Sequence, residues 1–360
     1  MIPVTKTFLP PQKEYQTILS RAWNAGWITN RGVLVKELEE KLKAYLGVPN
    51  IIATTNGTLP LQIAIKALGL KGEIITTPFS YIATTSSIVW EGCTPVFVDI
   101  HPEYLTIDEA KIEAAITSKT TGILATHVFG NPCNVVAIEK IAKKHDLKVI
   151  YDAAHCFGVQ YKGKSIFEYG DISTCSFHAT KIFHTGEGGA IFSQDEDLHK
   201  SLYFHHNFGH NGPDKFEGLG INAKMSELQA GMGLAVFKYL DLLILNRKNV
   251  FLNYQEAFEG NINLQLLKIR QDTNINYSYF PIILSTEKIA LDLKEEMERK
   301  NIFPRRYFYP SLNLMEYVNA TSCPVSESYA SRILCLPVYH DLSAIQQSEI
   351  IEIVKMKVDG

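Results

Sequence analysis

The sequence predicts an α/β protein with a mostly parallel central sheet, followed by a smaller α/β region toward the carboxyl terminus. Short apolar, β-branched runs alternate with helix-like stretches through the first two thirds of the 360 residues, which is typical of parallel sheets covered on both faces. The alternation ends near residue 223, and residues 225–257 have the apolar spacing of one or two long helices. We therefore predict a large domain over residues 1–240, including an N-terminal arm, and a small domain over residues 241–360.

The alternating elements can be placed approximately along the chain. Predicted strands lie at residues 51–55, 73–77, 95–99, 122–128, 148–152, 173–178 and 190–193. Helix-like stretches between them lie at residues 59–68, 83–91, 108–115 and 137–145. In sheets of this kind, ligands bind at the carboxyl ends of strands and the amino ends of helices. Residues at those junctions are therefore the first candidates for a binding site.

Composition and charge narrow the class of protein. The chain is 46% hydrophobic and 20% charged with a formal net charge of −3, which is ordinary for a globular protein and gives no reason to expect a nucleic-acid or membrane surface. No apolar run approaches membrane-spanning length, and the amino terminus lacks the layout of a secretory signal. Six cysteines without paired spacing argue against a zinc site or a disulfide framework. We therefore expect a cytoplasmic protein without a bound metal.

The first candidate junction is the stretch TTNGTLP at residues 54–60, where a predicted strand meets a predicted helix. Thr58 is a plausible helix N-cap, and Pro60 suits the first helical turn. Gly57 lets the backbone approach a ligand closely, so free N–H groups at the helix start are able to hold a phosphate. Alone, this stretch is better explained by a capped helix after a tight turn.

A carboxylate and an amine occupy two further junctions. Asp152 ends the apolar run LKVIYD, and a buried carboxylate there requires a cationic partner, although a helix-capping role explains it equally well. Lys181 lies between Ser176 and the glycines that begin at Gly186. A lysine in this setting is suited to forming a Schiff base with a carbonyl cofactor, and Ser176 can donate its hydroxyl to a phosphate. Alone, Lys181 is as well explained by a lysine before a hairpin turn.

Tyr81 follows the run TPFS and is placed to present its flat face to a ring, although packing better explains an isolated loop tyrosine. Together these groups specify a phosphate cradle, a ring-stacking face, a carboxylate and an amine for covalent attachment. Pyridoxal phosphate needs all of these parts. We therefore predict that the chain binds pyridoxal 5'-phosphate, which becomes pyridoxamine phosphate during turnover.

The motifs also identify a family. The sequence resembles the DegT/DnrJ/StrS family of sugar-nucleotide aminotransferases over nearly its whole length, in runs that include GWITNRG, NGTLPLQIAIKAL, YDAAHCFG, SFHATKIFHTGEGGAIF and GINAKMSELQAGMG. SFHATK followed by GEGG is the most specific of them. The resemblance implies the aspartate aminotransferase fold, which is fold type I of the pyridoxal phosphate enzymes. It also implies a homodimer with active sites at the subunit interface.

The resemblance implies roles for individual residues. Lys181 matches the lysine that holds the cofactor, and Asp152 matches the carboxylate on its pyridine nitrogen. His155 falls where the family has a glutamine or histidine beside the ring, and Tyr81 matches the stacking aromatic residue. The residues that match phosphate-binding positions are Gly57, Thr58, Ser176 and, reaching into the neighbouring subunit, Asn222.

The opening IPVTKTFLPP and the run FPRRYFYPSLN most resemble dTDP-4-amino-4,6-dideoxyglucose transaminases. This implies that a dTDP-4-keto-6-deoxyhexose receives an amino group from L-glutamate, giving a gluco product for surface-glycan or glycoconjugate biosynthesis. Arg306, Tyr307 and Tyr309 are candidates for contacting the sugar nucleotide, although a packed aromatic run with one solvated arginine explains them equally well. Amination at C3 of the isomeric 3-keto sugar is the alternative, because SFHATK is also similar to enzymes of that kind.

Three other functions are less well supported by the sequence. A non-catalytic regulator of the same fold should lack Lys181 or Asp152, and a pyridoxamine-phosphate-dependent sugar dehydratase should carry a histidine in place of Lys181. A metal hydrolase would use His205, His206 and His210, but no HExxH glutamate accompanies them. The same histidine-rich segment departs from the many relatives that carry an arginine there.

Overall fold

The computed structural model describes residues 1–319 and 321–359. In chain order, its strands are β1 (Ile2–Pro3), β2 (Ile51–Thr54), β3 (Glu73–Thr76), β4 (Thr94–Phe97), β5 (Thr120–Thr126), β6 (Lys148–Asp152), β7 (Gln160–Tyr161), β8 (Lys164–Ser165), β9 (Ile172–Ser176), β10 (Gly189–Phe192), β11 (Leu264–Leu266), β12 (Thr273–Asn274), β13 (Phe280–Leu284), β14 (Ile302–Phe303) and β15 (Ile333–Leu336). Its helices are α1 (Gln12–Ala25), α2 (Val33–Leu46), α3 (Leu59–Ala67), α4 (Ile82–Trp90), α5 (Glu109–Ile112), α6 (Val135–His145), α7 (Glu196–His205), α8 (Glu227–Phe237), α9 (Leu240–Phe258), α10 (Glu287–Arg299), α11 (Pro324–Arg332) and α12 (Ala344–Asp359).

A seven-stranded sheet forms the centre of the molecule, in the order β2-β10-β9-β6-β5-β3-β4. The strands from β4 to β9 in that order pair in parallel, whereas β10 pairs antiparallel to both β9 and β2. The predicted α/β class with a mostly parallel sheet is therefore confirmed. β10 is the exception because no crossover helix separates it from β9, so the chain turns back beside the strand that it has just left.

Successive side chains of a strand point to opposite faces of the sheet. Helices cover both of these faces. Ile52, Ile150 and Ile191 are buried on the face that packs against α3 and α7. Ala53 and Val149 are buried on the other face, in the cluster that includes α1, α2 and α8. Each large apolar side chain buried in this way stabilises the fold by about 1.5–3 kcal/mol. The sheet is therefore a fixed platform for the residues at its strand ends.

The strand directions bring the predicted site residues to one edge of the sheet. β2, β3, β6 and β9 run the same way, since β10 is antiparallel to both of its neighbours. Gly57 and Tyr81 follow β2 and β3, while Asp152 and Ser176 end β6 and β9. The carboxyl ends of strands that share a direction meet at one edge. Lys181 lies in residues 177–188, which connect β9 to β10 at that edge.

A second sheet of three antiparallel strands, in the order β11-β13-β15, lies toward the carboxyl terminus. Its core includes Tyr254 of α9, Leu293 of α10 and Ile350 of α12. β1 pairs in parallel with β14, so the first residues of the chain are anchored in this region. The predicted helical stretch at residues 225–257 forms two helices, α8 and α9. The domain division near residue 240 stays a prediction.

The sequence patterns did not indicate the two helices that precede the sheet, α1 and α2. Both end at a glycine in the left-handed conformation, Gly26 with a φ of 62° and Gly47 with a φ of 66°, which is a common helix C-cap. Among residues 1–319 and 321–359, no single helix has the length and apolar composition needed to cross a membrane. α8 and α9 meet those criteria only when taken together, and they are bent by 62° at their break.

Candidate active site

A cavity of about 440 Å³ lies where the predicted site residues meet, within the range of roughly 300–1,000 Å³ typical of small-molecule sites. Most of the predicted cofactor-binding residues line it: Gly57, Thr58, Tyr81, Asp152, His155, Ser176 and Lys181. Tyr307, one of the three substrate candidates, lines it as well. The structure therefore brings together side chains that are far apart in the sequence.

Lys181 lies in a tightly turned loop between β9 and β10. The loop is closed by backbone hydrogen bonds from Ala179 N–H to the Gly186 carbonyl at 2.7 Å and from Lys181 N–H to the His178 carbonyl at 2.8 Å. Gly186 has a φ of 81°, which favours glycine. The half-buried amine of Lys181 donates a 3.0 Å hydrogen bond to the hydroxyl of Tyr279. The amine is thus held inside the cavity by a hydrogen bond to a hydroxyl group.

Asp152, the last residue of β6, is 5% exposed. Its Oδ2 accepts a 2.7 Å hydrogen bond from Thr84 Oγ1, and its Oδ1 accepts a 3.1 Å hydrogen bond from Ala154 N–H. Burial raises the pKa of Asp152 above its ordinary value, and the two hydrogen bonds and the charge of Lys181 oppose that rise. No cation is bonded to this carboxylate in the part of the chain that the structure describes. Its site is therefore suited to a protonated ring nitrogen.

His155 is a neutral, fixed ring in the same cavity. Its Nδ1 accepts a 3.1 Å hydrogen bond from Phe129 N–H, so the neutral ring carries its proton on Nε2. Burial lowers the pKa of His155 well below its ordinary value, and the charge of Lys181 lowers it further. The ring lies parallel to that of Phe308, with centroids 5.6 Å apart and planes 4° apart. His155 therefore offers an N–H donor without a charge.

The predicted phosphate cradle forms where α3 begins and β9 ends. A Cβ added at Gly57 would lie 2.8 Å from the Cβ of Ser176, so a side chain at position 57 would force these two segments apart. Thr58 occupies the N-cap position of α3 as predicted, but its side chain makes no capping hydrogen bond. Asn56 Oδ1 instead accepts hydrogen bonds from Thr58 N–H and Leu59 N–H at 2.9 Å each. The exposed Thr58 side chain is left at the cavity together with that of Ser176.

Tyr81 immediately precedes α4 and lies at the cavity with 58% of its surface exposed. A ring with this much free surface gains most from a flat ligand that covers one of its faces. Tyr307, also at the cavity, is half-buried, and burial raises its pKa to about 12. Its hydroxyl is therefore protonated at neutral pH and available to donate a hydrogen bond.

Three predicted residues, Asn222, Arg306 and Tyr309, do not line the cavity. The guanidinium of Arg306 donates to Glu287 Oε1 at 2.6 Å and to the Ser331 carbonyl at 2.7 Å, and it lies 3.5 Å from the ring centroid of Tyr309. With these contacts, the side chains of Arg306 and Tyr309 lie outside the cavity that contains Lys181. Asn222 is exposed, and its contact with a second subunit stays a prediction.

The structure adds residues that the sequence patterns did not single out. Tyr279 accepts the hydrogen bond of Lys181, Thr84 donates to Asp152, and Arg305 lines the cavity. Tyr279 and Arg305 follow the alternating part of the chain, where no strand-to-helix junction marks a binding residue. Thr84 lies in the first turn of α4, which is the one signal that connects it with the predicted junctions.

The three histidines considered for a metal site make other contacts. His205 Nδ1 donates to the carbonyl of Ser201 at 2.8 Å, and His206 Nδ1 is hydrogen-bonded to the carbonyl of Tyr203. Burial lowers the pKa of His206 to about 4. His210 contacts an aromatic ring, with centroids 4.7 Å apart. Among the described residues, 1–319 and 321–359, no group of three or more His, Cys, Asp or Glu side chains is placed to hold a metal ion.

The cavity residues fit pyridoxal phosphate. A protonated pyridine nitrogen would neutralise the buried carboxylate of Asp152. The absence of a side chain at Gly57 leaves room beside Ser176 for a phosphate. Lys181 supplies the amine for a covalent bond. Each of these features fits a different part of the same ligand.

Comparison with known proteins gives an independent result. The model of the DegT/DnrJ/EryC1/StrS aminotransferase family matches residues 11–355. A dTDP-4-amino-4,6-dideoxy-D-glucose transaminase from Shigella dysenteriae is 40% identical over 347 residues, which cover 95% of each chain. An Escherichia coli transaminase of the same description is also 40% identical, over 354 residues and 95% of each chain.

Two more distant relatives are similar in structure and in sequence, respectively. The solved structure of DesI in the presence of its TDP-sugar product is similar with a TM-score of 0.93 and 30% sequence identity, covering 99% of this chain and 92% of that one. A GDP-perosamine synthase from Escherichia coli O157:H7 is 31% identical over 356 residues, covering 95% of this chain and 94% of its own. Relatives that are about 30% identical to this chain are therefore named for different nucleotides, TDP in one case and GDP in the other.

Proposed function

This chain belongs to the DegT/DnrJ/EryC1/StrS aminotransferase family of pyridoxal-phosphate-dependent enzymes, and we propose that it aminates C4 of a dTDP-4-keto-6-deoxyhexose with L-glutamate as the amino donor. The observation that carries this proposal is the 40% identity, over 95% of the chain, with two transaminases that are named for dTDP-4-amino-4,6-dideoxy-D-glucose. We propose the gluco product, for use in surface-glycan or glycoconjugate biosynthesis.

Lys181 carries out the proton transfers in this proposal, and Tyr279 orients its amine. Bound pyridoxal phosphate supplies a ring that accepts electrons from the carbon that loses its proton. Lys181 Nζ takes the proton from the α-carbon of glutamate and later returns one to the sugar carbon that receives the amine. The Tyr279 hydroxyl, 3.0 Å from Nζ, orients the free amine toward the reacting carbon.

Asp152 and His155 set the charge around the ring. Asp152 holds a proton on the ring nitrogen, and the hydrogen bonds from Thr84 and Ala154 keep its carboxylate ionised. The Thr84 hydroxyl donates its one proton to Asp152. Its oxygen also lies 2.7 Å from the hydroxyl of Ser80, which therefore donates a hydrogen bond to Thr84. His155 offers an N–H donor from Nε2 as a neutral ring, so it adds no positive charge to the cavity.

The test of this function is a proton NMR assay of the product. Purified holoenzyme is mixed with L-glutamate and dTDP-4-keto-6-deoxyglucose, and the ring couplings of the product are measured. We expect an amine on C4, and couplings that correspond to an equatorial amine, which is the gluco isomer. Turnover of the 3-keto isomer alone would contradict C4 amination and favour the C3 alternative.

The control for this assay is Lys181→Ala, which removes the amine and leaves the rest of the cavity unchanged. We expect no product from this variant with either substrate. If Lys181→Ala retained near wild-type turnover, the proposed role of Lys181 would be contradicted whatever the substrate.

We also propose that the enzyme is a homodimer. Exposed apolar side chains cluster where α1 meets the start of α8: Trp23 is 64% exposed, Trp27 and Ile28 are each 52% exposed, and Leu228 is 39% exposed. A 3.0 Å hydrogen bond from Glu227 N–H to the Ile28 carbonyl holds these segments together. Exposed apolar side chains on neighbouring segments are typical of a protein–protein interface. We propose further that Asn222 contacts the phosphate bound in the neighbouring subunit, as the resemblance to the family implies.

A further inference from the structure

Two adjacent arginines, Arg305 and Arg306, have opposite surroundings. The side chain of Arg306 is 13% exposed and is bonded to Glu287 and to the Ser331 carbonyl. Arg305 is exposed and lines the cavity, with its guanidinium carbon 5.1 Å from the ring centroid of Tyr307. Within the described residues, the guanidinium of Arg305 has no hydrogen-bond or ion-pair partner. It is therefore a cation at the cavity whose donors are free.

The backbone of Arg305 is fixed although its side chain is free. Arg305 N–H donates to the Cys335 carbonyl at 3.2 Å, and Cys335 N–H donates to the Arg305 carbonyl at 2.8 Å. Cys335 is fully buried in β15. Side chains alternate in direction along a paired segment, so this pairing sends Arg305 to the cavity and Arg306 to the opposite side. The direction in which the Arg305 side chain points is thus set by the pairing of its backbone with β15 of the second sheet.

The carboxylates at the cavity do not neutralise Arg305. Asp152 is buried and accepts hydrogen bonds from Thr84 and Ala154. Glu187, the other acidic residue that lines the cavity, lies 3.6 Å from His178 Nε2. Arg305 is therefore available to an anionic ligand. A planar guanidinium binds two oxygens of a phosphate or carboxylate at once.

Two anions of the proposed reaction can reach Arg305: the diphosphate of the sugar nucleotide and a carboxylate of glutamate. The sugar carbon that receives the amine must reach Lys181, and the hexose ring separates this carbon from the diphosphate. The diphosphate consequently lies farther out than the half-buried amine of Lys181, where the cavity is exposed. We propose that Arg305 binds the diphosphate of the sugar-nucleotide substrate, an inference that rests on the proposed function.

The first test is equilibrium binding of dTDP, without a sugar, to the holoenzyme by calorimetry. We expect the wild type to bind dTDP more tightly than thymidine. Arg305→Gln should weaken dTDP binding by about 10-fold, because it removes charge-assisted hydrogen bonds to a partly solvated anion, and leave thymidine binding unchanged. Arg305→Lys should restore part of the lost affinity. Equal dTDP affinity in the wild type and Arg305→Gln would overturn the proposal.

Arg306→Gln is the matched control, since it removes the same charge from the next residue. Arg306 is bonded to Glu287 and to the Ser331 carbonyl, so we expect this variant to unfold at a lower temperature and to bind dTDP as the wild type does. A loss of dTDP affinity as large as that of Arg305→Gln would mean that general charge, and not the position of Arg305, attracts the nucleotide. That result would overturn the proposal.

The two half-reactions separate the two anions. In single turnover, Arg305→Gln should react with glutamate at the wild-type rate and require about 10-fold more keto sugar nucleotide to reach half its maximal rate. A defect confined to the glutamate half-reaction would overturn the proposal and assign Arg305 to the donor carboxylate. If the wild type aminates the sugar and Arg305→Gln is unaffected in binding and rate, the inference fails and the proposed function stands. If Arg305 is required for dTDP binding but no keto sugar reacts, the inference stands and the proposed substrate fails.

Discussion

Lys181 and its partner Tyr279 come from different parts of the fold, since Lys181 follows β9 of the central sheet and Tyr279 immediately precedes β13 of the second sheet. The 3.0 Å hydrogen bond between them is a contact between two sheets. Nothing in the sequence near Tyr279 marks it, because the contact depends on how the second sheet packs beside the first. The proton-transferring amine is therefore oriented by a residue that sequence patterns do not reveal.

We expect Tyr279→Phe to slow the glutamate half-reaction by roughly 10-fold, because one hydrogen bond that orients Nζ is lost. The measurement is the single-turnover absorbance change of the bound cofactor. A second measurement is the rate at which an amine-reactive reagent labels Lys181 in the cofactor-free protein, which the variant should change because Nζ loses its hydrogen-bond partner. The control is Tyr277→Phe, two residues away and outside the cavity. Unchanged kinetics and labelling in Tyr279→Phe would contradict the role.

Thr84 gives a prediction about pH. Its hydroxyl donates to Asp152 and favours the ionised carboxylate, so Thr84→Val should raise the pKa of Asp152 further above its ordinary value. Activity that needs ionised Asp152 is lost as the pH falls, and this loss should begin at a higher pH in the variant, by about one pH unit. The measurement is the acid limb of the pH–rate profile. Thr85→Val is the control, because the buried hydroxyl of Thr85 has no hydrogen-bond partner in the described residues.

The junction between β2 and α3 shows how the secondary-structure elements position a predicted binding residue. Gly57 approaches Ser176 because neither β2 nor β9 can move within the sheet, where both pair with β10. We expect Gly57→Ala to lower pyridoxal phosphate affinity by at least about 10-fold, since the added Cβ pushes into the predicted phosphate site. The measurement is cofactor binding by absorbance titration.

The control for this variant is Gly26→Ala, which places a methyl group in open space at the end of α1. The φ of 62° at Gly26 strains any other residue, so this change should lower the free energy of unfolding without changing cofactor affinity. Equal cofactor affinity in Gly57→Ala and the wild type would place the phosphate elsewhere in the cavity.

The order of the strands and helices along the chain was predicted from the sequence, whereas the pairing of the strands was not. The alternating pattern predicted most strands of the central sheet within a few residues, because buried parallel strands are continuous apolar runs. It did not predict that β10 runs antiparallel, since direction follows from the connection and not from composition. The pair Arg305 and Arg306 shows the same limit. Which of two neighbours faces the cavity depends on the pairing with Cys335, which lies thirty residues farther along the chain.

The whole molecule is proposed to work as a dimer, and mixed subunits test this. If Asn222 serves the neighbouring subunit, a homodimer of Lys181→Ala subunits is impaired at both of its sites, and so is a homodimer of Asn222→Ala subunits. A hybrid dimer then has one site with both residues intact, so denaturing and refolding an equal mixture should recover about a quarter of the wild-type activity. The measurement is turnover of the mixture against the sum of the separate variants. No gain over that sum would contradict the sharing of Asn222.

At the level of the whole chain, the family and cofactor were predicted from motifs that lie in the central sheet, and both are confirmed. The sequence was less informative about residues 303–313. Tyr307 lines the cavity, whereas Arg306 and Tyr309 do not. The motif FPRRYFYPSLN marks the correct segment, and only packing against β15 decides which of its side chains point inward.

The place of β2 in the central sheet has a consequence for the order in which the protein folds during synthesis. β2 is an edge strand whose ladder partner is β10, and its other side carries a single bridge from Thr54 to Lys224. A growing chain that has not yet reached residue 189 contains Lys181 and Asp152 but no strand to hold Gly57 beside Ser176. Gly57 and Thr58, two of the residues predicted to hold the phosphate, are thus made early and must wait for a partner strand more than a hundred residues later. We therefore expect cofactor binding to be a late event, which follows closure of the sheet.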